Sequence, residues 1–228
     1  MLFLYIAGGL SVITALASGF FHVKEDASKR LVCKLIASLL FCAVGFAALY
    51  IKGSFSAYGI FVMAALVLGL LGDIFLCMKG LAADNKVMFF NAIGFFCFMV
   101  GHIAFATIFL SVVKFKLYIL PVMLAGIVAP GLLMLFKVLN ARKLNIALLI
   151  YGAVIGVMVM AAVNIYANYP GTTVGALSLT AAILFAVSDL TLSVREFGNF
   201  KNKAPLIFIV LSTYYIAQCL FAITIVFH

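Results

Sequence analysis

Charged residues are scarce in this sequence. They make up 9% of its 228 residues, whereas about 25% is usual in soluble domains. Hydrophobic residues make up 68%, far more than a water-soluble core needs, so most of this apolar surface must face lipid. The composition excludes a soluble enzyme and a soluble binding domain.

Motifs for disulfide, zinc and serine chemistry are also missing. No CxxC pair and no GxSxG elbow occurs, which argues against a disulfide framework, a zinc knuckle and a serine hydrolase of the elbow type. The five cysteines lie inside or at the ends of apolar segments, where they are typical small packing residues: Cys33, Cys42, Cys77, Cys97 and Cys219.

Eight apolar segments are each long enough to cross a bilayer. We predict an all-α polytopic membrane bundle that forms one integral membrane domain over residues 1–228, because short loops leave no room for another domain. The first segment has no basic region before it, so we expect a span rather than a cleaved signal. The predicted segments are 2–21, 31–51, 57–78, 87–111, 117–136, 145–167, 173–195 and 204–226.

The net charge of +9 is spread over the short loops, a pattern typical of topology signals and of contact with anionic lipid headgroups rather than of nucleic-acid binding. Only Lys52, Lys114 and Lys116 lie at even-numbered loops. The positive-inside rule then predicts cytoplasmic odd loops and non-cytoplasmic termini. The short loops and absent tails favour a bacterial inner membrane. Twelve basic residues lie at the odd loops: Lys24, Lys29, Arg30, Lys34, Lys79, Lys86, Lys137, Arg142, Lys143, Arg195, Lys201 and Lys203.

Two segments that run in the same direction share a short motif around an aspartate. Leu71-Gly72-Asp73-Ile74-Phe75-Leu76 lies in the third segment and Val187-Ser188-Asp189-Leu190-Thr191-Leu192 in the seventh. In both, Leu follows three residues after the aspartate and a basic residue six after it. The pattern indicates either a parallel internal repeat or a chance similarity between two apolar helices.

Asp73 and Asp189 both lie well inside apolar segments, where a central Asp costs about 2.5–3.5 kcal/mol. By helical rise each is roughly 8 Å from the cytoplasmic end of its helix. Such residues usually face the bundle interior and mark a functional path; the alternative is a structural ion pair with Lys34. Four other polar residues are predicted either to orient a carboxylate or to form ordinary interhelical bonds: Asn91, Tyr151, Tyr214 and Gln218.

The three histidines are too dispersed to predict a metal site. A zinc hydrolase needs about three converging protein ligands. His22 ends the first segment and His228 ends the chain, while His102 lies about fifteen residues into the fourth segment, roughly 22 Å deep by helical rise. We therefore expect His102 more than about 10 Å deeper than the aspartates, bonding across helices, and a site without a metal or cofactor.

The sequence resembles the YhhN-like lysoplasmalogenase family over essentially its whole length. The resemblance rests on the two aspartate motifs, on Lys34 opening the second segment, on Gly101-His102, and on the run Tyr214-Tyr215-Ile216-Ala217-Gln218. Leu35 follows Lys34 where many relatives have proline. The resemblance implies hydrolysis of the sn-1 vinyl ether bond of a lysoplasmalogen, without a known metal requirement, to a fatty aldehyde and glycerophosphoethanolamine or glycerophosphocholine.

Two carboxyl groups provide what this reaction needs. A protonated acid delivers a proton to the vinyl ether, and a carboxylate stabilises the resulting cation and activates water. We predict Asp73 and Asp189 as catalytic residues, either of which could be the acid, with Lys34 and Tyr151 tuning them. The substrate phosphate is expected near Lys79, Arg195 and Arg30, and the tail in a cavity lined by Phe-rich helices.

Two other classes of function remain open. Intramembrane acids also serve proton or cation transporters, and a non-catalytic lipid-binding or scaffold protein would have a similar composition. The expected partners are a lysophospholipid and membrane lipids, with no nucleic acid and no particular oligomeric state. Release of aldehyde by the purified protein separates these classes.

Overall fold

The computed structural model describes the backbone of residues 1–228 and every side chain except that of Lys143. Eight helical segments are long and apolar enough to cross a membrane, so the predicted all-α polytopic bundle is confirmed and the chain is an integral membrane protein. In chain order, the helices are α1 (Leu2–Val23), α2 (Ala27–Lys52), α3 (Ala57–Met78), α4 (Asp84–Ser111), α5 (Ala125–Leu135), α6 (Asn145–Asn168), α7 (Thr173–Phe197) and α8 (Ala204–Phe227).

Side-chain caps explain where several helices begin. The carboxylate of Asp26 accepts a hydrogen bond from the backbone N–H of Lys29, so α2 starts a turn earlier than hydropathy predicts. The same bond lowers the pKa of Asp26 below its ordinary value. Ser56 and Thr172 cap α3 and α7 in the same way.

The fifth span is the irregular one. A 3-10 helix, Leu117–Leu124, precedes α5 and contains Pro121, and a second proline, Pro130, lies within α5. Proline lacks the N–H that an α-helix needs and restricts the residue before it. Compared with the other spans, α5 has a small interface, mainly against α6. There the two backbones nearly touch, since a Cβ on Gly126 or Gly156 would collide with the opposite helix.

The two halves of the chain, α1–α4 and α5–α8, pack in corresponding ways. Helix α2 contacts α3 and α8, while α6 contacts α7 and α4. Exchanging the halves therefore converts one set of contacts into the other, as a two-fold axis would. Helix α1 departs from this pattern because it also packs on α8, whereas α5 has no corresponding interface with α4 of that size.

A constant spacing of 116 residues relates the halves, and it is the spacing from Asp73 to Asp189. The N-caps obey it too, since Ser56 accepts from Gly59 and Thr172 from Gly175. Equivalent residues even touch each other: the rings of Phe98 and Tyr214 lie 5.7 Å apart, and those of Phe105 and Phe221 lie 4.1 Å apart. A residue contacts its own equivalent only beside a two-fold axis. The geometry therefore supports a parallel internal repeat, one of the two interpretations of the shared aspartate motif.

Four loops meet at one end of the bundle, which we call the basic end: residues 24–26, 79–83, 136–144 and 198–203. Leu139 forms an isolated bridge with Gly198, and the N–H of Asn140 donates to the carbonyl of Phe197 at 3.1 Å. Gly80 lies near Arg30. The basic end carries most of the lysines and arginines.

Candidate functional site

Asp73 is a buried carboxylate with a full counter-charge. Its side chain is 2% exposed, and the Lys34 ammonium lies 2.7 Å from Oδ1. Oδ2 accepts hydrogen bonds from Ser38 Oγ at 2.6 Å and from the Tyr215 hydroxyl at 3.0 Å. A carboxylate with one cation and two donors is stabilised in its ionised form. The ion pair that the sequence allowed is thus present.

Asp189 has a different set of partners. The Tyr151 hydroxyl donates to Oδ2 at 2.7 Å, and His102 Nε2 lies 2.8 Å from the same oxygen. His102 is fully buried, and its Nδ1 lies 3.3 Å from the Met158 sulfur. Among the described residues, no Lys or Arg pairs with this carboxylate. The His102–Asp189 pair can therefore hold one proton between a ring nitrogen and a carboxylate oxygen.

The prediction that His102 lies far below the aspartates is wrong, and the register of α4 explains why. Gly94 packs against Leu76 and Gly72 against Phe98, so position 92 of α4 is level with the last residue of α3. The first two turns of α4 therefore extend beyond α3. The prediction counted depth from residue 87, five residues before that level, and was therefore too large by roughly 8 Å.

Both carboxylates line one pocket near the basic end. The pocket has a volume of about 30 Å³, room for roughly two waters. It is lined by residues from α1, α2, α3, α4, α7 and α8, including the apolar side chains of Leu76 and Phe98. Four basic residues complete its wall: His22, Arg30, Lys34 and Arg195. Two acids and four bases thus surround a small polar space inside the bundle.

The repeat explains how two distant helices bring acids to one pocket. Asp73 on α3 is held by α2 from its own half and by α8 from the other half. Asp189 on α7 is held by α6 from its own half and by α4 from the other half. The helices correspond pairwise, but the side chains differ: Lys, Ser and Tyr contact Asp73, whereas a Tyr and a His contact Asp189. One scaffold thus gives two carboxylates different charge environments.

The other predicted site residues are placed as follows. Lys79 and Arg195 both bind Glu196, at 2.7 and 2.6 Å, and of these two only Arg195 lines the pocket. Asn91 lies level with the end of α3 and bonds neither aspartate in the described structure.

Tyr214 lines the pocket, and its hydroxyl accepts a hydrogen bond from Gln218 at 3.0 Å. The residue that reaches Asp73 is its neighbour Tyr215. Neither Tyr215 nor Ser38 was singled out from sequence. The signal for Tyr215 lay in the Tyr214–Gln218 motif, but successive side chains point about 100° apart on a helix, and hydropathy alone does not choose between two tyrosines.

A second, apolar cavity of about 280 Å³ lies between α5, α6 and α7. Asp189 and Tyr151 form part of its wall, so Asp189 lines both cavities. Among the described lining residues there is no phenylalanine, so this cavity is not the Phe-lined space that the sequence led us to expect for a tail. Its wall combines larger aliphatic side chains with six Gly or Ala residues: Ala125, Gly126, Ala129, Gly152, Gly156 and Ala186.

Comparison with known proteins gives one result. The model of the YhhN family matches residues 29–225. The chain belongs to the YhhN family. The match in this YhhN protein includes both aspartates and all their bonding partners, and it begins just after His22. No curated protein and no solved structure matches the chain at a significant level. Among the described residues, no group of three or more His, Cys, Asp or Glu is placed to hold a metal ion.

Proposed function

We propose that this YhhN protein is an intramembrane hydrolase that cleaves the sn-1 vinyl ether bond of lysoplasmalogens. The observation that carries the proposal is a single pocket lined by two carboxylates, one with a lysine counter-charge and one with a proton-sharing histidine. The products are a fatty aldehyde and glycerophosphoethanolamine or glycerophosphocholine. The family resemblance supplies the substrate class, and the pocket supplies the acid and base.

The geometry favours a division of labour between the two aspartates. The Asp189–His102 pair delivers its proton to the vinyl carbon beta to the ether oxygen, which leaves an oxocarbenium ion. Asp73 remains ionised beside Lys34 and stabilises that cation, as a carboxylate does in glycosidases. Water adds to the cation and returns a proton to the pair. The hemiacetal then collapses, breaking the carbon–oxygen bond to the glycerol and releasing aldehyde and alcohol.

The bases in the pocket are suited to the phosphate of a lysolipid. Arg30 and Arg195 lie on the side of the basic end, and Asp73 is five residues before the end of α3, about 8 Å inside. If the phosphate lies at the interface, the sn-1 bond lies a few ångströms deeper, at the level of the carboxylates. By the positive-inside rule the basic end faces the cytoplasm, so the substrate comes from the inner leaflet.

Aldehyde release from the purified wild-type protein tests the proposal. Protein in detergent or nanodiscs is mixed with 1-alkenyl, 1-alkyl and 1-acyl lysophosphatidylethanolamine. We expect aldehyde and glycerophosphoethanolamine in equal amounts from the alkenyl lipid alone, because only its double bond accepts the proton. Absence of aldehyde contradicts the proposal. Proton or cation flux into liposomes without aldehyde release would favour the transporter instead.

A further inference from the structure

The apolar cavity between α5, α6 and α7 has the form of a site for one hydrocarbon chain. Asp189 and Tyr151 form its inner end, and the remainder of its wall is largely aliphatic. Ile183 and Val187 on the same wall are 47% and 42% exposed, so the cavity opens on the side of the bundle that faces lipid. The opening lies between α5 and α7, because α5 packs mainly against α6.

The internal repeat supplies an independent comparison. Positions 152, 156 and 186 of the second half correspond to positions 36, 40 and 70 of the first half at the spacing of 116 residues. The cavity wall has Gly152, Gly156 and Ala186, whereas the equivalent residues of the first half are larger: Ile36, Leu40 and Leu70. Of the two aspartates, only Asp189 lines this apolar cavity, and it is the one that contacts His102.

The volume matches one chain better than two. An apolar cavity of about 150 Å³ takes up a benzene molecule, and this one holds about 280 Å³. Part of one alkenyl chain fits such a space, with the remainder extending into the bilayer through the opening. A second chain at sn-2 would have to share the same space.

We propose that this cavity binds the single hydrocarbon chain of a lysolipid, which enters from the bilayer between α5 and α7, and that its small residues set chain-length preference and exclude diacyl lipids. The inference rests on the proposed function for the identity of the substrate. Asp189 connects the two spaces, because it lines both the pocket near the basic end and the apolar cavity. If the phosphate of the lipid lies near Arg30 and Arg195 and its chain lies in the cavity, its sn-1 bond lies beside Asp189.

Filling the cavity gives a direct test. Ala186→Leu introduces the residue found at the equivalent position of the first half, Leu70, and Ala129→Leu fills the cavity from α5. The matched control is Ala176→Leu, on an exposed position of α7 outside the cavity. Each buried methylene contributes about fourfold in affinity. We expect a roughly tenfold or larger rise in KM for an octadecenyl substrate in both cavity variants, little change for a butenyl substrate, and no change in the control. Equal KM values for all variants overturn the inference.

A binding readout separates this inference from the proposed reaction. The probe is a 1-alkyl lysophosphatidylethanolamine with a diazirine in its chain, which lacks the vinyl ether and is not cleaved. We expect the wild type to be labelled on α5, α6 and α7, with severalfold less labelling in Ala186→Leu and none from a diacyl analogue. Labelling there without turnover of lysoplasmalogen would retain the chain site and reject the reaction. Turnover of lysoplasmalogen with labelling outside α5, α6 and α7 would retain the reaction and reject the chain site.

Discussion

Replacement of either Asp73 or Asp189 by Asn is expected to reduce aldehyde release by roughly a hundred- to ten-thousandfold, the usual contribution of acid–base catalysis. The Asp189→Asn variant would have no acidic proton at this position to deliver to carbon. The Asp73→Asn variant would leave the oxocarbenium ion without a neighbouring negative charge and with Lys34 still present. Because Asn has nearly the same shape as Asp, much of the hydrogen bonding around each position is retained.

The measurement is the initial rate of aldehyde release by each purified variant in nanodiscs. Asp84→Asn is the matched control, since Asp84 is exposed in the first turn of α4 and lies outside the pocket. It should keep the wild-type rate. Thermal unfolding of all three variants checks that the fold is preserved. Near wild-type rates in both site variants would eliminate the two aspartates as the catalytic pair.

Removing Lys34 alone is expected to destabilise the protein strongly. In Lys34→Met the buried carboxylate of Asp73 would lose its only cation in the described structure, and breaking a buried ion pair from one side costs about 3–5 kcal/mol. For a chain of this size that corresponds to a fall in Tm of roughly 6–20 °C. The double variant Lys34→Met with Asp73→Asn removes both charges, and most of the loss should be recovered.

Thermal unfolding in one detergent at one pH measures all three states. Aldehyde release adds a second readout, because the double variant should be stable and inactive. Equal Tm values for the single and double variants would mean that the charge on Asp73 does not depend on Lys34. The assignment of Asp73 as the carboxylate paired with Lys34, which the proposed mechanism needs, would then lose its basis.

The helices and the two aspartates could be predicted because their signals are local. Hydropathy over about twenty residues defines a span, and a carboxylate inside such a span is conspicuous. Lys34 and Tyr151 also could be selected, since both are polar side chains a few residues from the basic end of their helices. Caps such as that of Asp26 shift helix ends by only a few residues, within the usual uncertainty of boundaries.

The partners of Asp189 required tertiary register, which one span does not reveal. His102 was placed too deep to reach the aspartates because depth was counted from residue 87, the predicted start of the fourth segment. That part of α4 extends past α3, and the contact of Gly94 with Leu76 fixes the true level. A tail cavity was expected among the Phe-rich helices of a chain with 23 phenylalanines, whereas the apolar cavity beside Asp189 has no phenylalanine among its described lining residues. Space arises instead where side chains are small, and only the comparison of the two halves makes Ala186 informative.

The repeat gives a physical account of the asymmetry that the proposed reaction needs. Equivalent helices hold the two carboxylates, so their separation and their access to one pocket follow from the packing of α3 and α7 against corresponding partners. The side chains that contact the two carboxylates then differ between the halves. Lysine on α2 fixes a negative charge on Asp73, while histidine on α4 lets Asp189 share a proton. Acid and base are thus separated by their neighbours rather than by their depth.

The central claim is that a proton passes from the Asp189–His102 pair to the vinyl carbon. Single-turnover rates of aldehyde release in H₂O and in D₂O, for the wild type and for Asp189→Asn, test it most directly. Because the proton that reaches carbon comes from the pair and exchanges with solvent, the account predicts slower release by the wild type in D₂O and a strong loss of aldehyde release by Asp189→Asn in both solvents. Equal wild-type rates in the two solvents, or a wild-type rate in Asp189→Asn, would contradict delivery of a proton to carbon by the pair.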